Sequence, residues 1–221
     1  MNAKVLGLFS GFPARQFSDD IAARLKEELS VRDSLVFVSA WPAEYERNDD
    51  DAAGMHGMFV SCDMVFQHVH VIDDRTAPSQ ARQLIREASC IFLMGGNATQ
   101  QFRLMRDKDI VEEIRRSRAV ILGVSAGSSN MAKRALDIWE SPEPYEGLGL
   151  TDITIKAHVT LEHQELLRTL MAVSAEHDLP ICAMEDESAI FIKADEVACT
   201  GSFRWIRNGI IAPFPPEKLN K

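Results

Sequence analysis

A short apolar run that passes directly into a glycine- and serine-rich turn is the feature of this sequence that most restricts its fold. Residues 119–122, Ala-Val-Ile-Leu, predict a buried strand. They continue without a linker into Gly123-Val-Ser-Ala-Gly127, and residues 128–136 predict a helix. A strand, Gly-x-Ser-x-Gly and a helix form the context of a nucleophile elbow, in which a sharp turn exposes a serine hydroxyl beyond the sheet. We therefore interpret Ser125 as a candidate nucleophile; the ordinary alternative is a turn without chemistry.

The rest of the chain alternates strand-like apolar runs with helical segments. Strands are expected at residues 4–9, 35–39, 65–72, 90–94 and 153–157, with short strands at 180–184, 189–193, 197–200 and 203–210. Helices are expected after Ser18 and at residues 52–62, 78–88, 99–106, 109–117 and 162–175. This order predicts an α/β fold with a mostly parallel sheet, helices on both faces and a strand-rich C-terminal part. The expected organisation is a single domain over residues 1–221.

Composition and charge exclude several classes of function. The chain of 221 residues has a formal net charge of −9, so we expect neither nucleic-acid binding nor association with an anionic membrane. No apolar run approaches the length of a membrane span, and the N-terminal residues lack the pattern of a signal peptide. The four cysteines are far apart and form no C-x-x-C, which favours reduced thiols in a cytoplasmic protein and no structural zinc site.

Three chemically useful residues follow predicted strands. Gly96, Ser125 and His158 each lie just past such a strand, and ligands of parallel sheets bind at the carboxyl ends of the strands. A serine nucleophile needs a base, and His158 is the preferred histidine because it follows a strand downstream of Ser125. His68 and His70 share one side of a strand, but no third metal ligand is evident. We therefore expect neither a metal nor a cofactor.

The motifs resemble those of one peptidase family. Met94-Gly-Gly-Asn97, Gly123-Val-Ser-Ala-Gly-Ser128 and a strand followed by His158 are similar to the dipeptidase E and cyanophycinase group of serine peptidases. The resemblance implies a class I glutamine amidotransferase-like, flavodoxin-like three-layer fold. It also implies that Ser125 is the nucleophile, that His158 is the base, and that the N–H groups of Gly96 and Ala126 form the oxyanion hole. Asn97 is the implied substrate-binding residue.

The acid that orients the histidine has two candidates by this resemblance. In dipeptidase E the acid follows the serine by fifteen residues, which here gives Glu140. In cyanophycinases it lies in an acidic cluster on a later strand, which here corresponds to Glu185-Asp-Glu187 with Asp186 as the matching position. Either carboxylate can hold an imidazole in the required tautomer. Glu140 is the preferred candidate and Asp186 the alternative.

Two irregular segments predict the size of the substrate. Residues 41–51 and 141–147 are rich in proline and acidic residues, and we expect them to form loops that wall the site. A walled pocket admits a dipeptide or tripeptide and excludes folded proteins, so the expected activity is that of a serine exopeptidase on small peptides. The alternatives are an α/β-hydrolase-type esterase and a non-catalytic relative that binds a ligand or partner. The sequence is compatible with a homodimer but does not fix the oligomeric state.

Overall fold

A computed structural model describes residues 4–160, 162–194 and 196–212. In chain order, its strands are β1 (Val5–Phe9), β2 (Ser34–Val38), β3 (His68–Ile72), β4 (Cys90–Leu93), β5 (Val120–Val124), β6 (Arg134–Ala135), β7 (Tyr145–Glu146), β8 (Thr154–Lys156), β9 (Ile181–Met184), β10 (Ala189–Lys193), β11 (Glu196–Thr200), β12 (Phe203–Arg207) and β13 (Ile210–Ala212). The helices are α1 (Asp19–Glu28), α2 (Tyr45–Ser61), α3 (Pro78–Glu87), α4 (Ala98–Asp107), α5 (Val111–Arg116), α6 (Ala126–Met131) and α7 (Gln164–Glu176). Within these ranges, no helix is both long and apolar enough to cross a membrane.

The main sheet has seven strands in the order β11-β10-β1-β5-β4-β2-β3. Its five members from β1 to β3 are parallel, and β10 and β11 add an antiparallel edge. Strands β1, β2 and β4 are buried along their whole length, because apolar cores cover both faces of the sheet. This arrangement explains why the strands appear in the sequence as continuous apolar runs rather than as alternating patterns.

Helices cover both faces of this sheet. On one face, α1 and α2 contribute Ile21, Leu25 and Phe59 to a core with Phe37 and Phe92 of the sheet. On the other face, helices α3 to α6 contribute a second core; its helical members include Ala81, Ile85, Leu104, Ile114 and Met131. The predicted α/β class with a mostly parallel sheet between helical layers is confirmed. The parallel strands therefore end together at one rim of the main sheet, and β1, β4 and β5 are each followed there by a loop or turn.

A smaller sheet supports the C-terminal side of that rim. It has the order β13-β12-β9-β8, with β8 parallel to β9 and the other pairs antiparallel. Along β9, Ile181 packs towards α7, and the next residue, Cys182, packs into a core of the main sheet. The small sheet thus packs between α7 and a core of the main sheet. Ala157, the residue that follows β8, lies at the rim.

The structure corrects the expected loop at residues 41–51. Helix α2 already begins at Tyr45, so most of the polar run is helical. Asn48 is buried there; its side chain accepts a hydrogen bond from the Ser39 hydroxyl at 2.7 Å and donates to the carbonyl of Trp41 at 3.0 Å. Asp49 pairs with Arg75 at the surface. The prediction was wrong because tertiary partners satisfy polar groups whose composition is typical of a loop.

The strand expected at residues 65–72 begins only at His68, and two further elements differ more from the predicted ones. The helix expected at residues 128–136 is α6, which starts earlier and ends at Met131, after which the chain forms β6. The single strand expected at 203–210 is the hairpin of β12 and β13. Asn208 and Gly209 at its turn both have positive φ, 51° and 74°, as a type I′ turn requires. The Asn-Gly pair was the sequence signal for this hairpin. The sequence Pro213-Phe-Pro-Pro216, which we expect to end the regular structure, lies outside the described residues.

Candidate active site

Ser125 occupies a strained position between β5 and α6. Its φ and ψ angles are 53° and −111°, a conformation that costs a non-glycine residue about 1–3 kcal/mol. Its N–H donates to the carbonyl of Phe9 at 2.9 Å, which ties the turn to the end of β1. The carbonyl of Ser125 accepts from the N–H of Ser129 at 3.0 Å and so starts the helix. The surrounding structure therefore holds this residue beyond the carboxyl end of the central strand.

Two glycines and a buried hydroxyl make the turn compact. A Cβ atom at Gly127 would lie 2.1 Å from the carbonyl oxygen of Leu93, and one at Gly123 would lie 2.7 Å from Gly127 itself. The fully buried Ser128 hydroxyl accepts from the N–H of Phe9 at 2.9 Å and lies 2.6 Å from the carbonyl oxygen of Gly123. Strands β1, β4 and β5 thus approach α6 more closely than any larger residue would allow.

We expect Gly127→Ala to destabilise the protein by at least about 3 kcal/mol, because its methyl group would collide with backbone rather than with a movable side chain. Gly57→Ala is the matched control, since the methyl group there meets nothing within 4 Å in the middle of α2. That variant should gain about 0.5–1 kcal/mol from helix propensity. Urea denaturation of both variants measures the difference. Equal stabilities would contradict the close approach at Gly127.

His158 faces Ser125 from the loop after β8. Its Nε2 atom lies 2.9 Å from the Ser125 hydroxyl oxygen. The histidine also has a positive φ, 56°, and its backbone N–H donates to the hydroxyl of Ser10 at 2.8 Å. Because Ser10 follows β1, this bond joins the small sheet to the main sheet at the rim. The imidazole is half-exposed, so a substrate can reach it.

Asp186 lies in the turn between β9 and β10 and contacts the ring nitrogen of His158 that does not face Ser125. Its Oδ1 atom lies 2.6 Å from Nδ1 of His158 and 3.4 Å from the hydroxyl oxygen of Ser10. The neighbouring Glu187 donates its N–H to the carbonyl of Gly11 at 2.9 Å, which fixes the turn. A carboxylate at Nδ1 favours the tautomer that carries its proton there and leaves Nε2 free to accept one.

The structure does not bring Glu140, the preferred acid, to His158. Its carboxylate accepts hydrogen bonds from the side-chain amide of Asn97 and from the Thr99 hydroxyl, the latter at 2.8 Å. Glu140 was preferred because it follows Ser125 by fifteen residues, the spacing of serine and acid in dipeptidase E. The pairing of β1 with β10 instead decides which acidic segment reaches the imidazole, and it places Asp186 there.

The other predicted site residues lie around the same rim. Gly96 has a φ of 139°, and a Cβ atom there would lie 2.3 Å from the indole nitrogen of Trp41. Gly96 and Ala126 border one cavity of about 300 Å³ together with Ser125 and His158. Asn97 caps α4, with its Oδ1 atom accepting from the N–H of Gln100 at 2.8 Å.

Sequence reasoning missed several residues of the site. Ser10 and Gly11 contact the histidine and the carboxylate, and Lys156 and Trp139 line the cavity beside Ser125. A second cavity of about 210 Å³ is lined by Gly95, the residue before Gly96. Its apolar lining is Phe12, Met55, Met58, Phe92, Met94 and Val124. The Ser-Gly pair just after β1 was a signal for such a role, because that strand ends at the same rim.

We expect Gly11→Ala to disrupt the contact between the histidine and the carboxylate. Its Cβ atom would lie 2.4 Å from Oδ1 of Asp186 and 2.5 Å from Cε1 of His158, so one of the two side chains must move. A displacement of about 1 Å at reacting groups can lower kcat about 100-fold. Steady-state peptide hydrolysis by this variant, with Gly57→Ala as control, measures the effect. An unchanged kcat would show that the contact is dispensable.

The remaining histidines and cysteines form no second centre in the part of the chain that the structure describes. The His68 and His70 rings are stacked with centroids 6.4 Å apart on β3. Over the described ranges, no cluster of three or more histidine, cysteine or acidic residues could hold a metal ion. All four cysteines are free thiols, and burial raises the pKa of Cys90 and of Cys182 and raises that of Cys199 to about 11. Cys90, Cys182 and Cys199 are therefore protonated at neutral pH.

Comparison with solved structures supports the fold. The crystal structure of a peptidase from an acI-B1 Actinobacterium superposes with a TM-score of 0.72 at 14% identity, covering 95% of this chain and 92% of that chain. A structure described as that of a peptidase E protein from Listeria monocytogenes EGD-e has a TM-score of 0.68 at 17% identity, covering 90% of this chain and 99% of that chain. Both matches extend over nearly the whole length of the proteins compared. No curated protein sequence matches the chain significantly.

A family model identifies the chain at the level of sequence. The model for peptidase family S51 matches residues 10–200. The match begins at Ser10, next to His158 in space, and includes Ser125, His158 and Asp186. It favours a peptidase over the esterase and the non-catalytic relative. The chain therefore belongs to peptidase family S51 and is a serine peptidase.

Proposed function

We propose that Ser125, His158 and Asp186 form the catalytic triad of an exopeptidase that acts on small peptides. The observation that carries this proposal is the contact chain from Asp186 Oδ1 through both ring nitrogens of His158 to the Ser125 hydroxyl, with distances of 2.6 and 2.9 Å. A nucleophile, a base and an orienting carboxylate in this order are the elements of covalent peptide hydrolysis. The strained turn at Ser125 corresponds to a nucleophile elbow.

The reaction follows from the positions of these groups. Nε2 of His158 takes the hydroxyl proton as Ser125 attacks the scissile carbonyl carbon, and the N–H groups of Gly96 and Ala126 stabilise the resulting oxyanion. Collapse of this tetrahedral intermediate breaks the C–N bond, and His158 returns the proton to the leaving amine. Water then hydrolyses the acyl-enzyme on Ser125 by the same route. These steps use protein groups alone, so independence from metals and cofactors remains a prediction, which a chelator would test.

The dimensions of the site support a short substrate. The cavity at Ser125 is about 300 Å³, at the lower end of the range for small-molecule pockets. Asp50 and Asp51 line the neighbouring cavity, although from a helix rather than from the expected loop. The exposed Trp139 is part of the lining of the cavity at Ser125. A dipeptide or tripeptide fits this space better than an extended polypeptide.

A serine-directed probe combined with a substrate series tests the proposal. A fluorophosphonate should label Ser125, and the wild-type protein should hydrolyse members of a dipeptide library but not unfolded casein. Efficient cleavage of casein with inert dipeptides would overturn the exopeptidase assignment and leave the nucleophile intact. Absence of labelling together with absence of hydrolysis would overturn the catalytic proposal.

A further inference from the structure

The cavity that Gly95 lines is a gap of about 210 Å³ in one of the two cores beside the main sheet, and we refer to it as the apolar cavity. Its lining includes four buried apolar side chains of that core and two partly buried ones that pack against it. The buried ones are Met58, Phe92, Met94 and Val124, and the partly buried ones are Phe12 and Met55. A gap leaves such side chains without the close contacts that the rest of a protein interior provides. An apolar group that enters the cavity restores these contacts and itself leaves water.

The apolar cavity is open to solvent. Arg15, Asp50, Asp51 and Gly54 also line it, and all four residues are exposed. The charges at the opening therefore include both signs and do not favour a ligand of one charge. A Cβ atom at Gly54 would meet nothing within 4 Å, so α2 leaves free space at this opening. A ligand can enter from water, and the apolar lining decides which ligand is bound.

The nucleophile lies between the apolar cavity and the cavity of about 300 Å³. Val124 lines the apolar cavity, and the next residue, Ser125, lines the larger one together with His158. A Cβ atom at Gly95 would lie only 3.5 Å from the Cβ atom of Ser125. A peptide whose scissile carbonyl lies at Ser125 can therefore place one neighbouring side chain in the apolar cavity and the rest of its atoms in the larger cavity.

We propose that the apolar cavity binds one large apolar side chain of the peptide substrate, that of leucine, methionine or phenylalanine, beside the scissile bond. This inference depends on the proposed peptidase mechanism at Ser125. The volume suits one such side chain, since a cavity of about 150 Å³ is enough to hold benzene. Two positions in a short peptide supply the same chemistry: the residue whose carbonyl is attacked, and the residue that leaves as the amine. In either position, binding of the side chain holds the scissile carbonyl near the Ser125 hydroxyl.

Two exposed glycines of α2 provide a matched test. Gly54→Leu places a side chain at the opening of the apolar cavity. Gly57→Leu is the control, because it makes the same change in the same helix at a glycine outside the cavity lining, where a Cβ atom would also meet nothing within 4 Å. Met55→Ala makes the opposite change and widens the cavity. Each protein is assayed for kcat/KM on two dipeptide series, in which the varied residue stands first or second and the other residue comes from the best dipeptide of the library.

The expected preference is for apolar over polar side chains of similar size. In one of the two series, the wild-type protein should favour leucine over asparagine and methionine over glutamine by about 10- to 100-fold in kcat/KM. That series identifies the position that the cavity binds. Gly54→Leu should lower kcat/KM for leucine, methionine and phenylalanine by at least about 10-fold and leave the alanine substrate within about threefold of wild type. Gly57→Leu should retain the wild-type profile, and Met55→Ala should raise phenylalanine relative to leucine.

Two results would overturn the inference. A wild-type protein without apolar preference in either series would show that no substrate side chain enters the apolar cavity. Equal profiles for Gly54→Leu and Gly57→Leu would show that the preference arises elsewhere. Gly54→Ala provides the same comparison if the leucine variant does not fold.

Failure of the underlying mechanism is distinguishable from failure of this inference. In that case the wild-type protein would hydrolyse none of the dipeptides and would not react with the serine probe. If the probe labels Ser125 while no dipeptide is cleaved, labelling rates with alkyl fluorophosphonates of increasing chain length replace the dipeptide series. A slower reaction of the longer chains in Gly54→Leu than in Gly57→Leu would then support the inference, and equal rates would contradict it.

Discussion

Replacing Ser125 with alanine is expected to lower kcat for peptide hydrolysis by about 10⁴- to 10⁶-fold, the loss typical of a missing nucleophile in a serine-histidine-carboxylate site. The hydroxyl lies 2.9 Å from Nε2 of His158, and water is a much poorer substitute for an oriented nucleophile. The proposed oxyanion-hole donors, the N–H groups of Gly96 and Ala126, remain in this variant. A small residual rate above the uncatalysed reaction is therefore expected.

The same substitution should change the free energy of unfolding by no more than about 1 kcal/mol, since it removes one partly exposed hydrogen bond and no packing. Alanine adopts the φ of 53° at the same cost as serine, so the strain of the turn is unchanged. Ser61→Ala is a suitable control because its hydroxyl caps the end of α2 away from the site, donating to the carbonyl of Met58 at 2.8 Å. Steady-state kinetics and urea denaturation measure the two effects. A wild-type rate in Ser125→Ala would contradict the assignment of the nucleophile.

Local sequence patterns predicted the parts of the site that individual strands position. Ser125 and His158 follow the apolar strands β5 and β8, and the residue after such a strand lies at the rim whatever the rest of the fold does. Gly96 follows β4 in the same way. These placements needed only the apolar runs and the knowledge that parallel strands end together.

The pairing of strands that are far apart in sequence determined which acidic residue reaches His158, a question that the sequence left open. Asp186 reaches His158 because β10 pairs antiparallel with β1, which places the turn before β10 beside Ser10 and Gly11. No local pattern indicates this pairing, since Glu140 and Asp186 are both acidic residues in irregular segments. The start of α2 was missed for a related reason, because the polar partners of the buried Asn48 include Ser39 after β2 and Asp73 after β3, which only the folded sheet brings together.

The contact between Asp186 and His158 leads to the second large expected effect. Asp186→Asn should lower kcat by about 10³- to 10⁴-fold. The amide of asparagine can donate to Nδ1, which favours the tautomer that carries its proton on Nε2. That nitrogen then faces the Ser125 hydroxyl as a donor and cannot accept its proton. The side-chain volume hardly changes, so the expected loss comes from the tautomer rather than from folding.

Glu140→Gln is the matched control for Asp186→Asn, because it makes the same chemical change at the other candidate acid. The exposed carboxylate of Glu140 contacts Asn97 and Thr99 rather than the imidazole, so kcat should stay within about 10-fold of wild type. Comparing kcat for the two variants on one peptide distinguishes the candidates directly. A large loss in Glu140→Gln with an active Asp186→Asn would reverse the assignment. It would mean that the loop after β6 moves to the histidine when substrate binds, since the amide at position 140 could disturb the tautomer only by direct contact.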